Sequence, residues 1–216
     1  MPQITKISPQ KRKDRYNIFV DEKFAFGVSV DTLVSQSLKV GQKLTEEEIA
    51  KIIKKEDFAK LFDSSLKLLS TRPRSEKEIT DYLAKKIAKN QNIKFREAAQ
   101  SIVIVKVMEK LKKLKYLNDL EFASWWAAAR SKQAKGPRLI RAELIQKGIS
   151  SEIIGKVLSS AVSQKELAKK AIEKKIKIWK NLSGNRLKRK VYTYLASRGF
   201  DWDTIKETFA FLEKRS

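Results

Sequence analysis

A pair of aliphatic residues four apart recurs three times along this chain. It is Ile79 and Leu83 in RPRSEKEITDYLAKK (72–86), Ile140 and Leu144 in KGPRLIRAELIQKGI (135–149), and Val191 and Leu195 in LKRKVYTYLASRGF (187–200). In the second and third copies a glycine stands four residues after the leucine (Gly148, Gly199), and a large apolar residue follows it (Ile149, Phe200). A new helical pattern then opens, SSEIIGKVL and DWDTIKETF. Another helical run precedes each copy: FAKLFDSSLKLLS, LEFASWWAAARSK and LAKKAIEKKIKIWK. Residues four apart share one helix face, and a glycine just past the run is a stop signal. The chain is therefore read as three copies of helix–helix–helix. In each, one apolar stripe per helix is buried against the other two helices. About 45 residues is close to the lower limit for an independent core, so the copies are expected to lean on one another in an elongated array. In the first copy KIAKNQNIKFREAAQ delays the last helix, SIVIVKVMEKLKKLKYL, which predicts an elongated loop or lengthened helices.

The first 30 residues follow a different period. In RYNIFVDEKFAFGVSV, Tyr16, Ile18 and Val20 share one face of a strand, and Phe24, Phe26 and Val28 share a face of the next. Asp21, Glu22 and Lys23 separate the two runs by the length of a hairpin loop. ITKIS (4–8) reads as a third strand, and a short helix is expected near 30–37. Thr45 followed by Glu48 is a capping box at the start of the helical region. The predicted fold class is mainly α: tandem three-helix bundles with a small amino-terminal β-hairpin region. Its segments are 1–57, 58–118, 119–163 and 164–216.

Composition narrows the chemistry. The sequence has no cysteine and no histidine. That removes disulfides, thiolate nucleophiles, the usual zinc sites and histidine acid–base work. No Gly-rich phosphate loop is present, and no cofactor is expected. The longest charge-free apolar stretch, FASWWAAA (122–129), is far short of the ~20 residues a spanning helix needs. Nothing at the amino terminus has the apolar core of a leader peptide. A cytoplasmic monomer that neither enters a membrane nor catalyses bond chemistry is the expectation. The formal net charge is +23, a field that attracts polyanions. It is uneven: +2 over 1–57 (11 basic, 9 acidic), +9 over 58–118 (15, 6), +3 over 119–163 (7, 4) and +9 over 164–216 (15, 6).

Three tandem three-helix units, a central KGPRLIRAELIQKGI, an upstream LLSTRPRSEKEITDYL, and LKYLND followed by FASWWAAARSK resemble the RecX family, the bacterial regulators of the recombinase RecA. KISPQKRKDRYNIFVDEKFAFGVSVDTLV is similar to the amino-terminal extension of that family in Gram-positive bacteria. The resemblance spans essentially the whole chain. It departs from the family pattern at Lys115, where glycine is usual, and in a longer 87–98 region. It implies a non-enzymatic regulator of DNA repair and the SOS response that binds the RecA filament on single-stranded DNA. Such a protein lodges in the filament groove or blocks its growing end, suppressing strand exchange, ATP hydrolysis and coprotease activity.

A filament offers phosphates and acidic protein, so the candidate contacts are basic residues beside the apolar stripes. In the central copy these are Arg130, Lys132, Lys135, Arg138 and Arg141; Arg72 and Arg74 flank Pro73 in the first, and Lys188, Arg189 and Lys190 lie in the third. Arginine presents a planar fork to carboxylate or phosphate and ranks above lysine. The plain alternative is local pairing, Arg141 with Glu143 or Glu152 for example, or simple solvated surface. Lys11, Arg12, Lys13 and Arg15 form a further small basic cluster, a contact arm or only a turn. Of the adjacent Trp125 and Trp126, one is expected in the core and the other at a module junction. Trp179 and Trp202 are placed at core positions, with base stacking the rival use.

The runner-up function is a direct helix-turn-helix-like nucleic-acid-binding protein, although no copy has a recognition helix rich in Arg, Asn and Gln. Weak, sequence-independent DNA affinity is expected in either case. A membrane-surface role, suggested by KKAIEKKIKIWK, fits the rest of the chain poorly.

Overall fold

The computed structural model describes residues 1–11, 14–159, 163–179, 181–182 and 184–213, the side chain of Lys174 excepted. It divides into two compact units: 1–71 with 80–114, and 72–79 with 115–216. Three antiparallel strands open the first unit in the order β1 (Ile4–Pro9), β2 (Arg15–Val20), β3 (Lys23–Ser29). Asp21 and Glu22, both at positive φ (47° and 64°), form the two-residue hairpin turn. Ile4, Ile18, Phe26 and Val28 are buried against Leu38, Leu44 and Ile52. Phe24 departs from the expected face. The pairing jumps from Ile18↔Phe26 to Phe19↔Phe24, so Ala25 is an extra residue. This bulge turns Phe24 out to 60 % exposure, edge-on to Phe19 with ring centroids 6.0 Å apart. One inserted residue is enough to reverse a strand's inside and outside.

A short helix, α1 (Val30–Ser35), follows, and then a single 24-residue helix, α2 (Glu46–Leu69). Thr45 and Glu48 form the reciprocal capping box that the sequence predicts. The buried residues of α2 are Ile52, Glu56, Leu61 and Ser65. Glu56 is a carboxylate at 1 % exposure. It accepts hydrogen bonds from Arg15 Nη2 (3.0 Å), the Ser29 amide (3.1 Å) and Ser29 Oγ (3.0 Å), joining α2 to strands β2 and β3. Arg15 is therefore a structural partner and not part of an outer contact arm. Arg12 and Lys13 of the same predicted cluster lie outside the described residues.

The delayed helix of the first copy resolves as lengthened helices. α3 (Glu76–Gln91) runs on past the point where the other copies stop. Asn92 ends it at φ 53°, and the short α4 (Phe95–Ala98) leads into α5 (Ile102–Lys113). Leu83, Ala84 and Ile87 of α3 and Ile104, Val107 and Leu111 of α5 are buried. Lys115 adopts the left-handed conformation, φ 59°, the backbone for which glycine would carry no Cβ penalty.

The second unit holds two bundles. α6 (Asp119–Lys132), α7 (Pro137–Gln146) and α8 (Ser151–Ser159) enclose Phe122, Ala123, Ala127, Ile140, Leu144, Ile149, Ile154 and Val157. α9 (Gln164–Ile178), α10 (Gly184–Ser197) and α11 (Trp202–Glu213) enclose Leu167, Ala171, Ile172, Val191, Leu195, Phe200, Ile205 and Phe209. Both middle helices end identically. The Ile149 amide bonds to Leu144 O (3.1 Å) and Gly148 N to Ile145 O (2.9 Å); Phe200 N bonds to Leu195 O (3.2 Å) and Gly199 N to Ala196 O (2.9 Å). With φ of 81° and 85° at the glycines, each is a Schellman stop whose following apolar residue folds back onto the core.

Candidate functional site

The middle helices of the second unit meet head to tail. Pro137 has no N–H to leave unbonded at the start of α7. The neighbouring donors reach the carbonyls that close α10: Gly136 N to Arg198 O (2.7 Å) and Arg138 N to Gly199 O (3.1 Å). Arg198 Nη1 adds a bond to Gln133 O (3.0 Å). Positive and negative helix ends are thereby matched, and donors and acceptors that helices leave open are satisfied. The joint admits no side chain: a Cβ on Gly136 would lie 2.5 Å from Gly199 C and O, and one on Gly199 would lie 2.4 Å from Leu139 N. A related contact involves residues 72–79, the start of α3 and the loop before it. There Lys77 Nζ bonds to Gln146 O (3.1 Å) near the end of α7, and Glu76 N bonds to Asp119 Oδ1 (2.9 Å).

Nine of the ten predicted contact residues fall into two groups, with Arg74 apart from both. Arg72, Arg130 and Lys135 are committed within the fold. Arg72 grips Glu78 with both terminal nitrogens (2.9 Å each), and Lys147 reaches the same carboxylate at 2.5 Å. Glu143 accepts from Arg130 Nε (2.6 Å), Lys135 Nζ (2.8 Å) and Trp126 Nε1 (2.8 Å). Arg130 lies 4.2 Å and Lys147 5.0 Å from the Trp126 ring centroid. Trp126 is thus half-buried against the second core, as one of the pair was expected to be, while Trp125 is exposed and faces Arg72 at 5.9 Å. Arg74 is half-buried beside Arg72, and burial, then the neighbouring guanidinium, lowers its pKa.

Lys132, Arg138, Arg141, Lys188, Arg189 and Lys190 form the second group, and all are exposed. Among the described residues none of these six is within ion-pair distance of a carboxylate. Glu143 is occupied by Arg130 and Lys135, and Glu152 by Lys156, so neither local partner considered for Arg141 takes it. Arg138 lies close enough to Asp201 to help hold that carboxyl low. The larger cause is the Thr204 amide it caps, 2.8 Å away. Trp202 is not a core residue: it is 55 % exposed at the first position of α11. Trp179 is partly buried against the third core.

Sequence reasoning missed the two carboxylate hubs. Burial alone would raise the Glu78 pKa, but hydrogen bonds from Arg72 and Lys147 outweigh it and bring it to about 2. Glu143 is likewise lowered, against its burial, by Lys135, Arg130 and Trp126. A depressed carboxylate contributes stability that is complete above its unfolded value near 4.5 and is lost as pH falls toward the folded one. Wild type is expected to exceed Glu78→Gln by about 1–2 kcal/mol at pH 5, after allowance for solvent screening. Thermal unfolding from pH 5 to pH 2 should show that difference vanish; a difference constant with pH would contradict the assignment.

Among the described residues no group of three or more acidic, cysteine or histidine side chains is placed to hold a metal, and no helix is long and apolar enough to cross a membrane. A polar cleft in the first unit has mixed charge, with Asp57 and Asp63 facing Lys60, Lys67 and Lys86.

Comparison with known proteins agrees with that architecture. Residues 2–45 match the regulatory protein RecX N-terminal domain, and 62–88, 118–158 and 163–209 match the first, second and third RecX three-helix domains. Regulatory protein RecX of Bacillus velezensis is 39% identical over 209 residues, 95% of this chain and 75% of that protein. The chain belongs to the RecX family. The Bacillus subtilis regulatory protein RecX is 38% identical over 217 residues, covering 99% of this chain and 78% of its own length. A crystal structure of regulatory protein RecX superposes with a TM-score of 0.67 at 30% identity, over 97% of this chain and all of that one. The RecX relatives are regulatory proteins by name, and both joined bundles lie in segments matched by RecX three-helix domains.

Proposed function

We propose that this RecX-family chain binds the RecA filament on single-stranded DNA as a monomer and inhibits its recombinase, ATPase and coprotease activities. The segments 1–57, 58–118, 119–163 and 164–216 act in it as successive modules. The single observation that carries the reading is the group of six exposed cations, none within ion-pair distance of a carboxylate among the described residues, while Arg130 and Lys135 are held by Glu143. A nucleoprotein filament presents phosphates and acidic protein side by side. Several weak contacts on joined modules add through effective concentration, and none needs a catalytic group. Arg138 and Arg141 are favoured for their forked guanidinium groups; Lys132, Lys188, Arg189 and Lys190 supply point charges.

Binding to single-stranded DNA with and without ATP-bound RecA, over a salt series, tests the proposal. Tight binding only when RecA is present is the expected result. Equal binding to bare DNA that falls steeply with salt would favour direct nucleic-acid binding instead. Replacing Arg138 and Arg141 together by alanine should weaken filament inhibition about ten-fold or more while circular dichroism is unchanged. Undiminished inhibition would remove these two residues from the interface.

A further inference from the structure

We infer that Trp202 is a stacking platform for an unpaired base of single-stranded nucleic acid, with Lys188 and Lys206 beside it to meet backbone phosphates. The inference deepens the filament reading and takes its setting from it. Tryptophan is highly buried on average, yet Trp202 is 55 % exposed. The ring is nevertheless held in place. Tyr192 meets it edge-on at 5.0 Å and 76°, and Tyr192 packs against Phe209, a residue of the third core, at 5.8 Å and 70°. Asp201, which caps the helix at Thr204 N (2.8 Å), fixes the backbone on the other side. Lys206 Nζ lies 5.5 Å from the Trp202 centroid and Lys188 Nζ 5.8 Å from that of Tyr192. Of the nearby acids, Glu207 is paired with Lys165 at 2.7 Å and Asp201 accepts from the Thr204 amide, leaving Asp203 exposed.

The repeats supply an internal control. Superimposing Val191 and Leu195 on Ile140 and Leu144 sets Tyr192, Trp202 and Lys206 where the second copy has Arg141, Ser151 and Gly155. In the second bundle Ser151 is exposed, and neither it nor Gly155 is among the residues that close the core. The fold therefore does not require the third copy's aromatic and amine. They are additions on the face where the second copy carries Arg141. The exposed neighbours of Trp202 along α11 are Asp203, Lys206 and Glu207, not an apolar patch such as a protein partner would cover. Every base has a π face, so stacking is sequence-tolerant, and amines beside the ring follow the phosphates. A duplex hides its base faces and is excluded.

The test uses the full chain with a labelled mixed-sequence 20-nucleotide single strand and the matching duplex, read by fluorescence anisotropy at several salt concentrations. Trp202→Ala is expected to weaken single-strand binding roughly 5- to 100-fold. The salt slope and melting temperature should stay near wild type, and Trp202→Phe should keep most of the affinity. Lys188→Ala with Lys206→Ala should instead flatten the salt slope by about 1. The inference is overturned if wild type has no single-strand affinity, or if Trp202→Ala binds as wild type. It is equally overturned if phenylalanine is as weak as alanine, if duplex binding falls as much, or if only filament affinity falls, which would place the ring against protein. Inhibition of filament ATP turnover, measured in parallel, separates the two ideas. Wild-type inhibition with normal single-strand binding by Trp202→Ala sinks the stacking site alone; absent inhibition with the expected stacking loss sinks the filament reading alone.

Discussion

Replacing Gly199 by alanine is expected to lower stability by about 3–5 kcal/mol and to part α7 from α10. Two effects add. At φ 85° an L-residue carries a conformational cost of about 1–2 kcal/mol. The new methyl would also sit 2.4 Å from the Leu139 amide nitrogen and 2.5 Å from Leu139 Cβ, so the helices must separate. Separation breaks the bonds from Gly136 N and Arg138 N, at about 1 kcal/mol each, and opens Ala134, a second-bundle residue in the third core. Chemical denaturation would measure the loss. Gly155→Ala is the control: it lies within α8 with nothing within 4 Å of the added Cβ, and should stabilise by about 0.5–1 kcal/mol through helix propensity. Equal effects of the two substitutions would refute the joint.

Glu56→Ala is expected to cost about 3–5 kcal/mol, because the guanidinium of Arg15 and the amide of Ser29 would lose a buried anionic partner. Burial pushes the Glu56 pKa up, but the bonds from Thr32, Ser29 and Arg15 hold it below its ordinary value. Glu56→Gln keeps the shape and should fall between alanine and wild type. The structural consequence is specific. Strands β2 and β3 should lose protection from hydrogen exchange, while the bundles of the second unit keep theirs. A loss spread evenly over the chain would show that Glu56 does not lock the sheet to α2 in particular.

The helices were legible because their signals are local. Thr45 and Glu48 announce a start, Pro137 opens α7, and Gly148 and Gly199 announce stops, each acting within one turn. The apolar pairs at 79/83, 140/144 and 191/195 are all buried for the same reason. The rest depends on partners distant in sequence. Ala25 reads as an ordinary strand residue until pairing with β2 makes it a bulge. Glu56 stands four residues after Ile52 on the buried face of α2, but a carboxylate there reads as exposed until Arg15 and Ser29 reach it from the strands. Glu143 draws Arg130 and Lys135 inward across 13 and 8 residues, so these two, like Arg72 on Glu78, are ion-paired within the fold for reasons that spacing alone does not carry. Trp202 follows the glycine stop by three positions, where helical spacing suggests core but the turn aims the ring outward. Gly136 announced a helix start, but its close approach to Gly199 was invisible without the third bundle in place.

Direct titration of this protein into RecA assembled on single-stranded DNA, with ATP turnover as the readout, addresses the central claim. Turnover should fall progressively and reach its floor at or below one molecule per RecA protomer, and the variant lacking Arg138 and Arg141 should need about ten-fold more. Turnover unchanged at stoichiometric protein would contradict the account.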